Sequence, residues 1–268
     1  MKQFDPIRIR KTILQMAYSG STVHIGCAFS IVELLAVLYR NHLHLDRNNP
    51  DWPARDYMVL SKGHGVMAQY ACLNELGWIS DDELACYFGN GTRLKGLADV
   101  HVPGVEVTSG TLGHGLSVGV GLALAAKRNR TDQLCYALVG DGELNEGTIW
   151  EAALFARQFK LDNLIVIIDV NGFQAMGRTD EVMALDDISA KFDAFGFETI
   201  SIDGHDEEAI DAAYNQFRHA KNGKPKAIVA RTIKGKGVSF MENDNVWHYT
   251  RLNAETFALA TSELKGKE

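Results

Sequence analysis

Two short apolar runs separated by a helical stretch, each closed by a polar turn, restrict this chain more than anything else in it. Residues 134–139 (LCYALV) read as a buried strand, residues 148–159 as a helix and residues 164–169 (LIVIID) as the next strand. A right-handed crossover brings both strand ends to one edge of a parallel sheet, where open α/β sheets bind their ligands. The first strand runs into Gly140-Asp141-Gly142-Glu143 and the second into Asn171, thirty positions after Asp141. A carboxylate and a carboxamide therefore meet at that edge, and such a pair can grip a hard cation. The glycines flanking Asp141 permit a sharp turn and close approach of a phosphate, while the helix that follows aims its N-terminal amides at the same place. Mg²⁺ takes oxygen ligands and keeps phosphate oxygens in its shell. The expected cargo is a metal-bound diphosphate, with Asp141, Asn171 and one backbone carbonyl as the protein's share of the shell.

The rest of the chain alternates helix and strand signals without a detectable repeat. Residues 7–18 and 30–42 carry apolar side chains at helical spacing, and Ser30 followed by Glu33 has the form of a capping box opening the second helix. Residues 56–60 read as a strand delivering SKGHG into a helix, and residues 112–127 as a glycine-bearing helix. Beyond the central unit, residues 186–195 and 207–221 should be helical, and residues 198–202 and 226–232 should be strands. This alternation gives a doubly wound α/β fold, a mostly parallel sheet flanked by helices. A dinucleotide fold is disfavoured, because no strand leads directly into Gly113-His114-Gly115 and no acidic residue closes a second strand at the required spacing.

At 268 residues, with no Pro- or Ser-rich linker, residues 1–268 are expected to form one large domain. A formal charge of −7 without a basic stripe argues against nucleic acid or an anionic membrane as partner. Residues 1–20 place Asp5, Pro6 and several basic residues where a signal peptide needs an apolar run, so a cytoplasmic protein is expected. Cys27, Cys72, Cys86 and Cys135 form no CxxC and read as buried or incidental thiols, Cys27 being the one to watch. Among nine histidines, His24, His64 and His248 stand out because they fall in glycine-bearing or strand-end loops, where an imidazole can exchange protons near neutral pH. His205 reads as a structural turn residue, and His42 and His44 as the end of a surface helix.

Seven blocks, in order, resemble the transketolase family: VHIG (23–26), LSKGH (60–64), PGVEVTSGTLGHG (103–115), GDGELNEG through LDNLIVIIDVN, DAFGFETISIDGHD (193–206), TIKGKG (232–237) and Trp247-His248. The resemblance covers most of the chain. It implies the diphosphate domain of a thiamine-diphosphate-binding fold, with Mg²⁺, or Ca²⁺ or Mn²⁺ in its place, held by Asp141, Asn171 and the backbone of Phe173. It implies cofactor contacts from Cys27, His64, Gly110, Thr111, Leu112, Gly142, Glu146, Asn171, Lys234 and His248, and catalytic roles for His24, His64 and His248. Lys236 reads as a solvated turn residue. Transketolases also have a pyrimidine-binding and a C-terminal domain, which this sequence does not contain. The resemblance therefore implies the N-terminal subunit of a split transketolase, paired with a separate C-terminal subunit in a heterotetramer. The implied reaction moves a two-carbon ketol unit between sugar phosphates.

The departures from the family pattern concern the substrate. Leu97 stands where the family has a donor-contacting histidine, Val23 and Tyr249 stand where glycines are usual, Cys27 replaces a small residue, and His114 replaces a glutamine. A leucine at position 97 removes a hydrogen bond and adds apolar surface. His101, four residues on, is a candidate to swing into the vacant place. Two alternatives follow: a transketolase specialised for an unusual ketose in a catabolic pathway, and a subunit that binds the cofactor without catalysing. An enzyme of related type acting on pyruvate is disfavoured, because SKGH and Trp247-His248 match transketolases more closely.

Overall fold

The computed structural model describes residues 3–266. Its centre is a five-stranded sheet formed by β1 (Tyr57–Leu60), β2 (Cys135–Gly140), β3 (Leu164–Val170), β6 (Glu198–Asp203) and β7 (Lys226–Arg231). Their order is β1-β2-β3-β7-β6, with every neighbouring pair parallel. A separate antiparallel hairpin, β4 (Phe173–Gln174) with β5 (Gly177–Arg178), projects just beyond β3.

Side chains alternate across the sheet and build two cores. Met58, Leu60, Tyr136, Leu138, Ile165 and Ile167 face α1 (Pro6–Ser19), α2 (Ile25–Phe29), α3 (Val32–Val37), α4 (Val66–Leu76) and α10 (Glu207–His219). Val59, Cys135, Ala137, Val139, Val166 and Ile168 face α6 (His114–Asn129), α7 (Gly147–Gln158) and α9 (Ile188–Ala194). The remaining helices are α5 (Asp81–Ala85), α8 (Thr179–Val182) and α11 (Ala254–Lys265), the last lying against α1. Burial on both faces explains why β2 and β3 are near-continuous apolar runs rather than alternating ones. The doubly wound α/β expectation is met, with most element ends within two residues of those read from sequence. No helix among the described residues is long and apolar enough to cross a membrane.

The helix expected over residues 30–42 is broken, and its capping box does not form. Ser30 ends α2 instead, its hydroxyl donating to the Cys27 carbonyl at 3.2 Å and to Asp169 Oδ2 at 2.9 Å. Glu33 turns away to accept from Arg10 Nη2 at 2.8 Å and to meet His205 Nδ1 at 2.9 Å. Burial would raise the Glu33 pKa, but Arg10 and His205 overrule it and hold it down at about 2. After α3 the chain makes one wide turn, Leu38–His42, that ends in a buried His42 rather than a surface one, its Nε2 2.9 Å from Asp211 Oδ1. His44 is exposed beside Trp52. His205 is structural as expected, bridging Glu33 and the Ile233 amide, which donates to its Nε2 at 2.8 Å.

Candidate active site

The carboxyl ends of β1, β2 and β3 open into a cavity of about 490 Å³. Asp141, Gly142, Asn171 and Phe173 line one part, His24, Cys27, His64 and His248 another, and Leu97, Gly110, Leu112, Met176, Val182 and Met183 form an apolar wall. Glu146 also lines it. Thr111 and His101 do not. Thr111 is exposed, and His101 is turned outward onto Asp99 Oδ1 at 2.6 Å, so it does not take the place at Leu97.

Register explains why Asp141 and Asn171 meet. Gly140 pairs with Asp169, so the residues just past them leave the sheet side by side. Asp141 Oδ1 accepts from the Gly142 amide at 2.8 Å and its Oδ2 from the Gly172 amide at 2.7 Å, which ties the two turns together. Asn171 Nδ2 donates to Asp169 Oδ2 at 2.8 Å while its Oδ1 accepts from the Phe173 amide at 3.1 Å, so the carboxamide is fixed in orientation with acceptor capacity left on Oδ1. Burial first, and the nearby Asp169 second, push the Asp141 carboxyl up to about 7. A buried carboxylate without a cationic side chain bonded to it, beside a carboxamide oxygen and a backbone turn, is a hard-oxygen donor set of the kind Mg²⁺ or Ca²⁺ takes. The residues present therefore fit a divalent cation. They also fit a polar group reaching it, because Gln174 Nε2, on the cavity wall, is a buried donor with no partner. Gly142 leaves room there, since a Cβ on it would lie 2.8 Å from Gln174 Cβ.

Beneath these ligands lies a buried ion pair that sequence reasoning did not single out. Lys62 and Asp169 are 1% and 0% exposed, and the Lys62 ammonium donates to Asp169 and to the Cys27 carbonyl. Asp169 also accepts from Ser30, Asn171 and Thr232, so each of its oxygens is satisfied. Burial works against both charges, yet each holds the other ionised, raising the lysine and lowering the aspartate. Glu143, which the sequence does not set apart from Glu146, is 2% exposed and accepts from the Ser61 hydroxyl and from the Gly113 and Gly140 amides at 2.8 and 3.1 Å. A charged residue ending an apolar strand (Asp169) and a second acid inside the glycine turn (Glu143) were the signals available.

The three histidines cluster, with ring centroids 5.4 to 5.7 Å apart. His24 sits in a left-handed backbone conformation (φ 70°) at the start of α2, a position rare for a residue with a Cβ, and Tyr249 packs edge-on against its ring. Lys234 is fully buried and donates to Asn245 Oδ1 at 2.8 Å and to His248 Nδ1 at 2.7 Å, with Phe173 beneath its ammonium. Burial and then Lys234 depress His24 to about 4 and His248 to about 3, and burial and Lys62 push His64 well below its ordinary value. Without ligand they are neutral imidazoles at pH 7, each with one donor and one acceptor nitrogen.

That depression has a measurable consequence. A histidine whose folded pKa is lowered contributes stability present above its unfolded pKa near 6.5 and lost as pH falls toward the folded value. The ligand-free chain should lose thermal stability as pH drops from about 6.5 to about 4. His24→Gln combined with His248→Gln should flatten that slope, as read by melting temperature across the range.

A parallel α/β domain with a set of oxygen donors and a buried lysine at its carboxyl edge has the architecture of proteins that hold a phosphate-bearing cofactor there. Residues 6–266 match the family model described as transketolase, thiamine diphosphate binding domain, and the chain belongs to the transketolase family. It is 40% identical over 255 residues to one of the subunits of the apulose-4-phosphate transketolase of Phocaeicola vulgatus, 95% of this chain and 90% of that one. It is 41% identical to the 6-deoxy-6-sulfo-D-fructose transketolase subunit SqwG of a Clostridium species, covering 96% and 94% of the two chains. The solved transketolase from Leishmania mexicana superposes with a TM-score of 0.89 at 31% identity, matching 97% of this chain. This chain spans only 40% of that structure's length, and 38% of human transketolase, to which it is 34% identical.

Proposed function

We propose that this chain is the diphosphate-binding subunit of a split transketolase, completed by a separate C-terminal subunit in a heterotetramer and located in the cytoplasm. The observation that carries it is the cavity itself, in which the oxygen donors of Asp141 and Asn171 and a cluster of histidines share one apolar-walled space. Asp141, Asn171 Oδ1 and the Phe173 carbonyl would hold Mg²⁺, while His64, Lys234 and His248 would face the diphosphate. Thiamine diphosphate, when bound, supplies the electron sink for cleaving and forming the bond next to a ketose carbonyl. His24 and His248 would then hold or pass protons at the hydroxyl oxygens of the sugar, and the apolar wall, exposed at Leu97, Met176 and Met183 in this chain, would be covered by the second subunit. The added anionic charge of the cofactor would raise the histidine pKa values from their depressed range toward neutrality.

The whole-enzyme activity requires the second chain in this reading. The purified chain alone should show no ketol transfer and should gain it on mixing with its C-terminal counterpart. Turnover by the isolated chain, after contaminants are removed, would count against the split site.

Leu97 favours a donor other than the common ketose phosphates. It stands in the cavity wall, and a Cβ on Gly110 would lie 2.7 Å from Leu97 Cδ1, so this leucine fills space that the glycine (φ 144°) leaves open. A donor hydroxyl placed there finds a methyl group instead of an imidazole, which costs on the order of 1–3 kcal/mol, or roughly ten- to a hundredfold in kcat/KM. The assembled enzyme should use xylulose 5-phosphate poorly, and Leu97→His should improve it by that factor. Efficient use of xylulose 5-phosphate by the unmodified enzyme would remove the specialised-donor reading.

A further inference from the structure

Cys27, His64 and His248 present a sulfur and two imidazole nitrogens that all lie within 4.8 Å of one another. Cys27 Sγ is 3.7 Å from His248 Nδ1, and the His64 and His248 rings are 5.7 Å apart. The three come from separate segments: the first turn of α2, the loop after β1, and the loop before Tyr249. Their chemistry differs from that of Asp141 and Asn171, because thiolate and imidazole suit zinc and similar ions, whereas carboxylate and carbonyl oxygens suit magnesium. Ligand bonds of about 2.0–2.3 Å place the donors of a tetrahedral site about 3.5 Å apart. Side-chain rotation of roughly an ångström therefore closes the triad, and the fourth position opens into the cavity.

We propose that Cys27, His64 and His248 form a second cation site, selective for a thiophilic divalent ion of the zinc class. On binding, the Cys27 S–H bond breaks as the sulfur–metal bond forms, the proton leaves to solvent, and no electron changes hands. Lys234 releases His248 Nδ1 and keeps its bond to Asn245 Oδ1, at 2.8 Å in the ligand-free chain. A filled triad takes two histidines assigned above to the diphosphate. In that respect, zinc and cofactor excluding one another rests on the proposed function.

The test uses the full chain with Cys86→Ala, since Cys86 is the exposed thiol. Cobalt(II) is the probe, because a thiolate ligand gives it a near-ultraviolet charge-transfer band. One equivalent should produce the band, zinc should abolish it by displacement, and Cys27→Ser should lose it while melting at the parent's temperature. Because losing even an outer-shell partner costs about ten- to a hundredfold, losing a ligand should weaken zinc binding by at least about a hundredfold. His248→Gln gives an independent second loss should Cys27→Ser fold poorly. A band absent from the parent, or zinc affinity unchanged in either folded variant, overturns the site. Excess thiamine diphosphate with Mg²⁺ should bleach the band. A band that persists while the cofactor is shown to bind leaves the metal site standing and instead removes the placement of the diphosphate beside His64 and His248.

Discussion

Asp141→Ala is expected to abolish cation-dependent binding of thiamine diphosphate, lowering affinity by at least about a hundredfold, and Asn171→Ala is expected to do nearly the same. Outer-shell changes at metal sites already cost about ten- to a hundredfold, and these two would be direct ligands. The fold should survive. Both side chains sit past the strand ends, and neither belongs to the apolar cores. Asp141→Ala frees the Gly142 and Gly172 amides but also removes a carboxylate whose charge is disfavoured by burial and by Asp169, so the two effects oppose one another and the ligand-free variant should still fold. Calorimetry on the assembled enzyme, with magnesium limiting, provides the measurement. Unchanged cofactor affinity in both variants would falsify the cation site.

Asp169→Ala should be the more damaging change to the fold, although Asp169 is not itself one of the proposed ligands. It strands a lysine ammonium that is 1% exposed, and breaking a buried pair from one side costs roughly 3–5 kcal/mol. For a chain of this size that is a fall in melting temperature of about 10 °C. Lys62→Met should cost less, because Asp169 keeps donors from Ser30, Asn171 and Thr232. The double change, Lys62→Met with Asp169→Ala, should recover part of the loss, since no uncompensated charge remains. Thermal or denaturant unfolding of the three variants gives the order. If Lys62→Met proves the worse of the single changes, the aspartate's other donors contribute less than their geometry indicates. Asp169→Ala should also loosen cofactor binding, because Asn171 Nδ2 loses the partner that orients it.

What the sequence made legible follows the physics of each element. β2 and β3 lie buried between two helical layers, so uninterrupted apolar runs betrayed them, and the polar residues ending those runs marked the site. The segment from Ser30 to His42 misled for the same reason in reverse. Residues Val32 to Leu38 are each inside the core or nearly so, which erases any difference between helix faces, and Ser30 spends its hydroxyl on Asp169 rather than on a cap. Lys62 and Asp169 were hidden because a lone lysine and a lone aspartate normally read as surface residues. Only their juxtaposition across β1 and β3 makes each tolerable inside. The neutral state of the histidines was equally out of reach, since it depends on burial and on Lys234 and Lys62, both distant in sequence from His24.

The hydrogen bonds to Glu143 bear on how such a protein can be altered. One carboxylate joins the Ser61 hydroxyl to the amides of Gly113 and Gly140, three stretches of chain that lie far apart in order. Loop-grafting assumes that surface segments are interchangeable modules, and here they are not. A transplant of residues 103–115 from a relative carries its own version of the Gly113 turn, but its amide finds an acceptor only if the acid at 143 and the backbone at 140 already agree with it. The turns that line this cavity thus depend on one another, and chimeras joined between positions 61, 113 and 143 should keep the fold at this edge only where the hydroxyl at 61, the glycine turn at 113 and the acid at 143 are all present.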